Sequence, residues 1–197
     1  MVLEESNMQF EFPDSLTTVK FDEESFYRNS FNKFPESKGV DFITDGNEFI
    51  AFIEVKNCLG HEGDNRWRIA PNNLKRDTVH VSHDVKQRDS LDIEVVQKVA
   101  MTLAALCGAY SFGDRKDSLG KLGKIAASIS EEKFAKTEKK KLIILVLEGD
   151  FGTHTRPKTV IMSELQRNIM SKLQWLDCRV SVVDSGTYCE KVFKMNA

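Results

Sequence analysis

The sequence predicts a mixed α/β domain, one β-sheet flanked by helices, formed by all 197 residues as a single unit. Three observations carry that expectation. Gly39 to Asn57 is apolar and β-branched at both ends and broken at Asp45-Gly46-Asn47, which is a hairpin pattern. Leu142 to Leu147 and Arg179 to Val183 are short runs with strand composition. Stretches with apolar residues at steps of three and four precede, separate and follow them. The expected order is helix, hairpin, helix, strand, helix, strand.

Residues 1–21 give the weakest pattern: Pro13 interrupts it, and Leu16 to Phe21 reads as a short edge strand. A helix is expected after Asp22, an N-cap residue, with Glu23 and Glu24 in its first turn. Tyr27, Phe31 and Phe34 form its buried stripe, and Pro35 ends it. A two-residue turn at Asp45-Gly46 or Gly46-Asn47 sets Asp41 opposite Ile50 or Phe52. Residues 58–89, with Gly60, Gly63, Pro71 and Asn72-Asn73, read as an irregular insertion, with one strand expected over Thr78 to Val85. Ser90 caps a long helix over 91–112, whose core stripe is Ile93, Val96, Ala100, Leu103, Cys107 and Tyr110. Next come a glycine-punctuated linker and a basic helix striped by Leu119, Leu122, Ile125, Ile129 and Phe134. The buried strand Leu142 to Leu147 follows. An amphipathic helix over 160–176 turns Leu165, Ile169, Leu173 and Leu176 inward before the last strand.

Composition narrows the class. The chain is 41% hydrophobic and 29% charged, ordinary for a globular domain, and its longest apolar run is too short to span a bilayer. The acidic N-terminus lacks the basic and apolar regions of a signal peptide, so the cytoplasm is the expected location. Four scattered cysteines without a CxxC pair predict no disulfide, with Cys107 buried as a free thiol. Residues 1–62 carry 13 acids against 5 Lys and Arg, and the remainder 17 against 23. An acidic segment beside a basic one suits a phosphate-backbone partner, although solvated faces produce the same asymmetry.

Three polar residues interrupt the apolar hairpin: Asp41, Glu54 and Lys56. Alternation puts Glu54 and Lys56 on one face, and either two-residue turn brings Asp41 to that face. Two carboxylates and an ammonium are costly to bury without a partner, and a divalent metal supplies one. An ion pair on a surface hairpin is the plainer alternative.

Asp41, a spacer, then Glu54-Val55-Lys56 at the end of an apolar strand resembles the PD-(D/E)XK nuclease superfamily; Val40 stands where that motif usually has proline. The resemblance implies a restriction-endonuclease-like mixed β-sheet flanked by helices and a nuclease that hydrolyses phosphodiester bonds in nucleic acid, with DNA the expected substrate. It implies Mg2+ or Mn2+ held by Asp41, Glu54 and the Val55 carbonyl, with Glu24, or its competitor Glu23, assisting. Lys56 would orient the attacking water and offset charge on the phosphate, and Gln97, on the following helix, would orient water or touch substrate. A homodimer is left open, as is a non-catalytic nucleic-acid or protein-binding domain on the same fold. No GxSxG, HExxH or P-loop sequence competes.

Two further readings fall on the insertion. Arg66-Trp67-Arg68, Lys75-Arg76, Lys86 and Arg88 offer phosphate contacts and a stacking ring, as against an ordinary charged loop. Cys58-x2-His61 and His80-x2-His83 offer four zinc ligands, but on a strand His80 and His83 would point to opposite faces.

Overall fold

A computed structural model describes residues 1–72, 89–113, 119–131, 134 and 138–196. The strand expected over Thr78 to Val85, with Lys75, Arg76, His80, His83, Lys86 and Arg88, lies outside the described residues.

Strands β1 (Val2–Glu5) and β2 (Met8–Glu11) form an antiparallel hairpin that the sequence reading did not anticipate. Ser6 and Asn7 both have positive φ, 53° and 61°, the backbone that tight hairpins require. β3 (Thr17–Lys20) is the expected edge strand, at its pairing distance from the next hairpin. The expected helix after Asp22 is instead three short pieces. A 3₁₀ turn at Phe21–Glu23, α1 (Ser25–Asn29) and a second 3₁₀ turn at Phe31–Lys33 share the segment. No side-chain cap holds any of them, and a run of tilted ring contacts from Phe21 through Tyr27 and Phe31 to Phe34 replaces a helical stripe. Gly39 packs directly beneath Phe21: a Cβ there would lie 2.7 Å from the ring.

β4 (Phe42–Asp45) and β5 (Phe49–Asn57) make the expected hairpin with the turn one place later, at Asn47-Glu48, closed by the Gly46 N–H to the Phe49 carbonyl at 2.9 Å. Asp45 stays in the strand, paired with Lys139. α2 (Glu62–Asn65) and a 3₁₀ turn at Arg66–Ile69 follow. Then come α3 (Leu91–Gly113), α4 (Gly120–Ser130), β6 (Lys140–Glu148), α5 (Lys158–Lys172), β7 (Arg179–Val183) and β8 (Lys194–Asn196).

The main sheet has the order β3-β4-β5-β6-β7, antiparallel through β5 and parallel from there to β7. One face is covered by α3, α4 and α5, through a core that includes Ile43, Phe52, Leu106, Leu122, Leu145 and Leu165. The other face carries Phe42, Ile53, Val55 and Val146, and is covered by a second sheet, β1-β2-β8, through Met8, Phe10, Phe12, Phe193 and Met195. The fold is therefore mixed α/β with two sheets, helices on one side of the main sheet and strands on the other.

α3 also turns a different stripe inward than expected: Leu91, Val95, Val99, Thr102, Leu106 and Ala109. Cys107, expected in the core, is exposed, and Tyr110 is 53% exposed. The helix is apolar nearly all round, so two adjacent stripes satisfy the same period. The buried Thr102 hydroxyl, which accepts the Val40 N–H at 3.1 Å, belongs to the stripe that faces the sheet. Over Leu91–Phe112 this helix has the length and apolarity of a membrane span. Here it packs in the core, and its Asp92 is paired with Lys172 at 2.8 Å.

Phe10 is fully buried against Phe42 and Phe193, with centroids 5.2 and 5.5 Å away. Phe10→Ala is expected to cost about 3–5 kcal/mol in chemical denaturation. A loss below about 1 kcal/mol would show that the small sheet lends the main sheet no stability.

Candidate functional site

The β4–β5 ladder pairs Phe42 with Ile53 and ends with the Asp41 N–H donating to the Ile53 carbonyl at 3.1 Å. Asp41 thus lies just beyond the last ladder pair, with its carboxylate near that of Glu54, where Lys98 reaches both. Asp41, Glu54 and Lys56 converge under α3, as their spacing predicts. Asp41 Oδ2 accepts the Val55 N–H at 2.7 Å. Amide groups two apart on a strand point to the same neighbour, so the Val55 carbonyl lies on this unpaired edge too.

α3 contributes two side chains to this face. Lys98 Nζ sits 2.6 Å from Glu54 Oε1 and 3.5 Å from Asp41 Oδ1. Lys56 Nζ is 2.6 Å from that same Glu54 oxygen and 2.9 Å from Glu94 Oε1. The Arg68 guanidinium donates to Glu94 Oε2 and, at 3.3 Å each, to the Asn65 side chain and the Asp89 carbonyl. Arg68 is 1% exposed, which removes it from the expected phosphate-contacting surface. Three carboxylates and three cations therefore form one continuous network.

Burial and the neighbouring Glu54 push the Asp41 carboxyl up to about 7. Burial alone would raise Glu94, but the Lys56 and Arg68 charges outweigh it and hold Glu94 at about 2. Burial would lower the Lys56 and Lys98 ammoniums; Glu54 and its neighbouring acids raise both instead. Glu54 is 1% exposed, and its Oε2 has no hydrogen-bond partner among the described residues, although both lysines reach Oε1. A buried carboxylate oxygen without a donor is costly and suits an oxygen-seeking cation.

A second carboxylate group adjoins the first. Ligand oxygens of Glu5, Asp22 and Asp41 lie within 4.8 Å of one another. Glu5 reaches this point because Asn57 Nδ2 donates to the Ser6 carbonyl at 2.9 Å, drawing the β1–β2 turn to the end of β5. Lys20 and Ser6 hold Glu5, at 3.0 and 2.9 Å, whereas Asp22 Oδ1 is buried without a partner. Burial raises the Asp22 carboxyl. The acid ahead of the hairpin that approaches Asp41 is thus Asp22, not Glu24 or Glu23. Glu24 lines a separate groove beside Phe26 and Phe112, and Glu23 pairs with Lys20 at 3.1 Å.

Gln97 lies next to the network rather than in it, accepting a 2.5 Å bond from Lys38, whose ammonium also reaches Asp89 at 3.3 Å. The α3 residue that touches the carboxylates is Lys98, which lies three residues after Val95 and four before Thr102 and so shares the face of the observed buried stripe. A cleft of about 490 Å³ opens over the network, lined in part by Lys38, Lys56, Asn57, Arg68, Glu94 and Lys98. Cys58 lines it too, and His61 is exposed at the start of α2, while the other two residues of the zinc reading lie outside the described residues.

The chain belongs to the family of unknown function DUF6661, whose model matches residues 24–197. No curated protein and no solved structure matches it.

Because Glu94 is held below its ordinary value of 4.5, its stabilising effect is complete above that pH and fades as pH falls toward about 2. Glu94→Gln is expected to cost on the order of 1–3 kcal/mol at neutral pH, the difference from the unaltered protein closing across that window. Urea midpoints measured from pH 7 to pH 2.5 test this, and a difference independent of pH would assign Glu94 a packing role only.

Proposed function

We propose that this protein is a metal-dependent phosphodiesterase acting on nucleic acid, with DNA as the preferred substrate, on a restriction-endonuclease-like fold. The observation that carries the reading is the Asp41–Glu54 pair, bridged by Lys98 with Lys56 two residues on, beside a cleft that Lys56, Glu94 and Lys98 line, and with Glu54 Oε2 unpartnered among the described residues. The sheet order supports it as well: the strand carrying Glu54 and Lys56 is central, antiparallel to the strand after Asp41 and parallel to β6.

The donors fit a hard divalent cation, being carboxylate oxygens plus the Val55 carbonyl on an unpaired strand edge. Asp41, Glu54 and that carbonyl would hold Mg2+ or Mn2+, and Asp22 takes the assisting role first expected of Glu24. Such a metal would supply polarisation of the phosphate and acidification of a bound water. Lys56 orients the water and offsets charge developing on the phosphate. Lys38 and Lys56, lining the cleft, attract the backbone.

A non-catalytic nucleic-acid-binding domain is the competing reading, and one contact favours it: Lys98 already neutralises both Asp41 and Glu54. A site that carries its own cation has less need of a metal.

Asp41→Asn and Glu54→Gln are each expected to abolish Mg2+-dependent cleavage of labelled nucleic acids while circular dichroism stays unchanged. Cleavage persisting at the original rate in both would remove the site from the chemistry. Lys56→Met keeps the stem and removes the charge, so metal binding should persist while single-turnover cleavage falls by about 10²-fold or more. Unimpaired turnover would make Lys56 a structural partner of Glu54 and Glu94.

A further inference from the structure

Lys98 has no role in the motif that pointed to this site, yet it makes the closest cationic approach to both of its carboxylates together. Its Nζ lies 2.6 Å from Glu54 Oε1 and 3.5 Å from Asp41 Oδ1, on the helix face of the hairpin. No other ammonium among the described residues pairs with Asp41 and Glu54 at once: Lys56 divides its charge between Glu54 and Glu94. With Asp41 ionised, as a metal ligand would be, the network is balanced: Asp41, Glu54 and Glu94 against Lys56, Lys98 and Arg68. Adding a divalent cation would leave a net charge of two positive units in a half-enclosed cleft, unless a cation leaves or an anion enters.

Of the three cations, Lys98 is the one placed to leave. Arg68 is 1% exposed and fixed by Glu94, Asn65 and Asp89. Lys56 keeps its second partner, Glu94, if Glu54 turns to a metal. Lys98 has no third ion-pair partner among the described residues, lines the cleft, and has a flexible four-carbon stem on a rigid helix.

We infer that Lys98 is a built-in counter-cation that holds the Asp41–Glu54 pair ready in the metal-free protein, that a divalent metal displaces it, and that its freed ammonium then meets the phosphate in the cleft. Metal and phosphate thereby favour each other: the metal releases an anion-binding group, and the anion restores the charge balance. This rests on the metal-site reading above and adds to it a positioning residue and a coupling. No covalent step is involved. The coupling also resolves the competition between the two functional readings, because an internal cation that can move aside protects the carboxylates without excluding a metal.

The test is Mn2+ titration by calorimetry, paired with thermal melting with and without Mn2+, on the unaltered protein, Lys98→Met, and Lys98→Met combined with Glu54→Gln. Lys98→Met is expected to bind Mn2+ roughly tenfold more tightly or better, since the competing charge is gone. It is expected to melt lower than the unaltered protein without metal and to recover that loss when Mn2+ is added. The double variant should lose both the tight binding and the recovery, which locates the metal at Glu54. Equal Mn2+ affinity in Lys98→Met and the unaltered protein, with a melting deficit that metal leaves unchanged, would make Lys98 a structural ion-pair partner and overturn the inference while the metal site stands. Failure of both proteins to bind Mn2+ would overturn the metal-site reading itself, and the role of Lys98 with it.

Discussion

The structure depends on neutralising charge in a place that water barely reaches. Glu54 sits on the central strand at 1% exposure, and an isolated carboxylate there would cost several kcal/mol in desolvation. Lys56 and Lys98 bring opposite charge to one of its oxygens, Glu94 holds Lys56, and Arg68 holds Glu94. Four elements are tied together by this chain of pairs: β4, β5, α3 and the 3₁₀ turn at Arg66–Ile69. Removing a single member strands its partner, which gives the network a cooperativity that no one pair supplies.

The rest of the fold makes such a network affordable by being apolar elsewhere. β5 is packed on both faces, with Phe52 under the helices and Ile53 under the second sheet. Polar side chains gather where the β4–β5 ladder runs out and backbone groups need partners. Asp41 is the first residue beyond the paired segment, and its carboxylate takes the Val55 N–H that the ladder leaves over. The second sheet contributes twice, covering one face with Phe10 and Phe193 and delivering Glu5 to the strand end through the Ser6–Asn57 bond. Sheet packing and site assembly are therefore the same event.

Much of this was legible in the residues, and the misses have physical causes. The hairpin pattern gives Asp41, Glu54 and Lys56 a common face for either two-residue turn, whereas a three-residue turn would have reversed Asp41 unless a bulge intervened. The β7 strand at Arg179–Val183 and the inward residues of α5 followed from composition and period. The second sheet was missed because its strands are four, four and three residues long and two of its strands are joined only through the far end of the chain. Alternation at Met8, Phe10 and Phe12 and the Ser6-Asn7 turn were the available signal. The sequence points to Gln97 rather than Lys98 because α3 is apolar on adjacent stripes: Gln97 borders the stripe through Ile93 and Ala100, whereas Lys98 shares the face of Val95 and Thr102, the one that is buried. Asp22 was taken for a helix cap because the segment after it reads as one helix, whereas tilted ring contacts accompany its break into three pieces.

Stability alone gives a poor account of six charged groups under one helix. Buried ion pairs seldom outperform apolar residues of the same size, so a fold selected for packing would lose them together. The arrangement also leaves a defect: both ammoniums crowd Glu54 Oε1 while Oε2 has no donor among the described residues. An arrangement tuned only for the metal-free state would share the donors between the two oxygens, since an unsatisfied buried acceptor costs about 1–3 kcal/mol. A vacant oxygen beside an ionisable Asp41 and an unpaired strand edge is intelligible if a further cation belongs there at some stage of function. On the proposed reading the charge balance would have two settings, with Lys98 inward in the metal-free protein and outward once a metal binds.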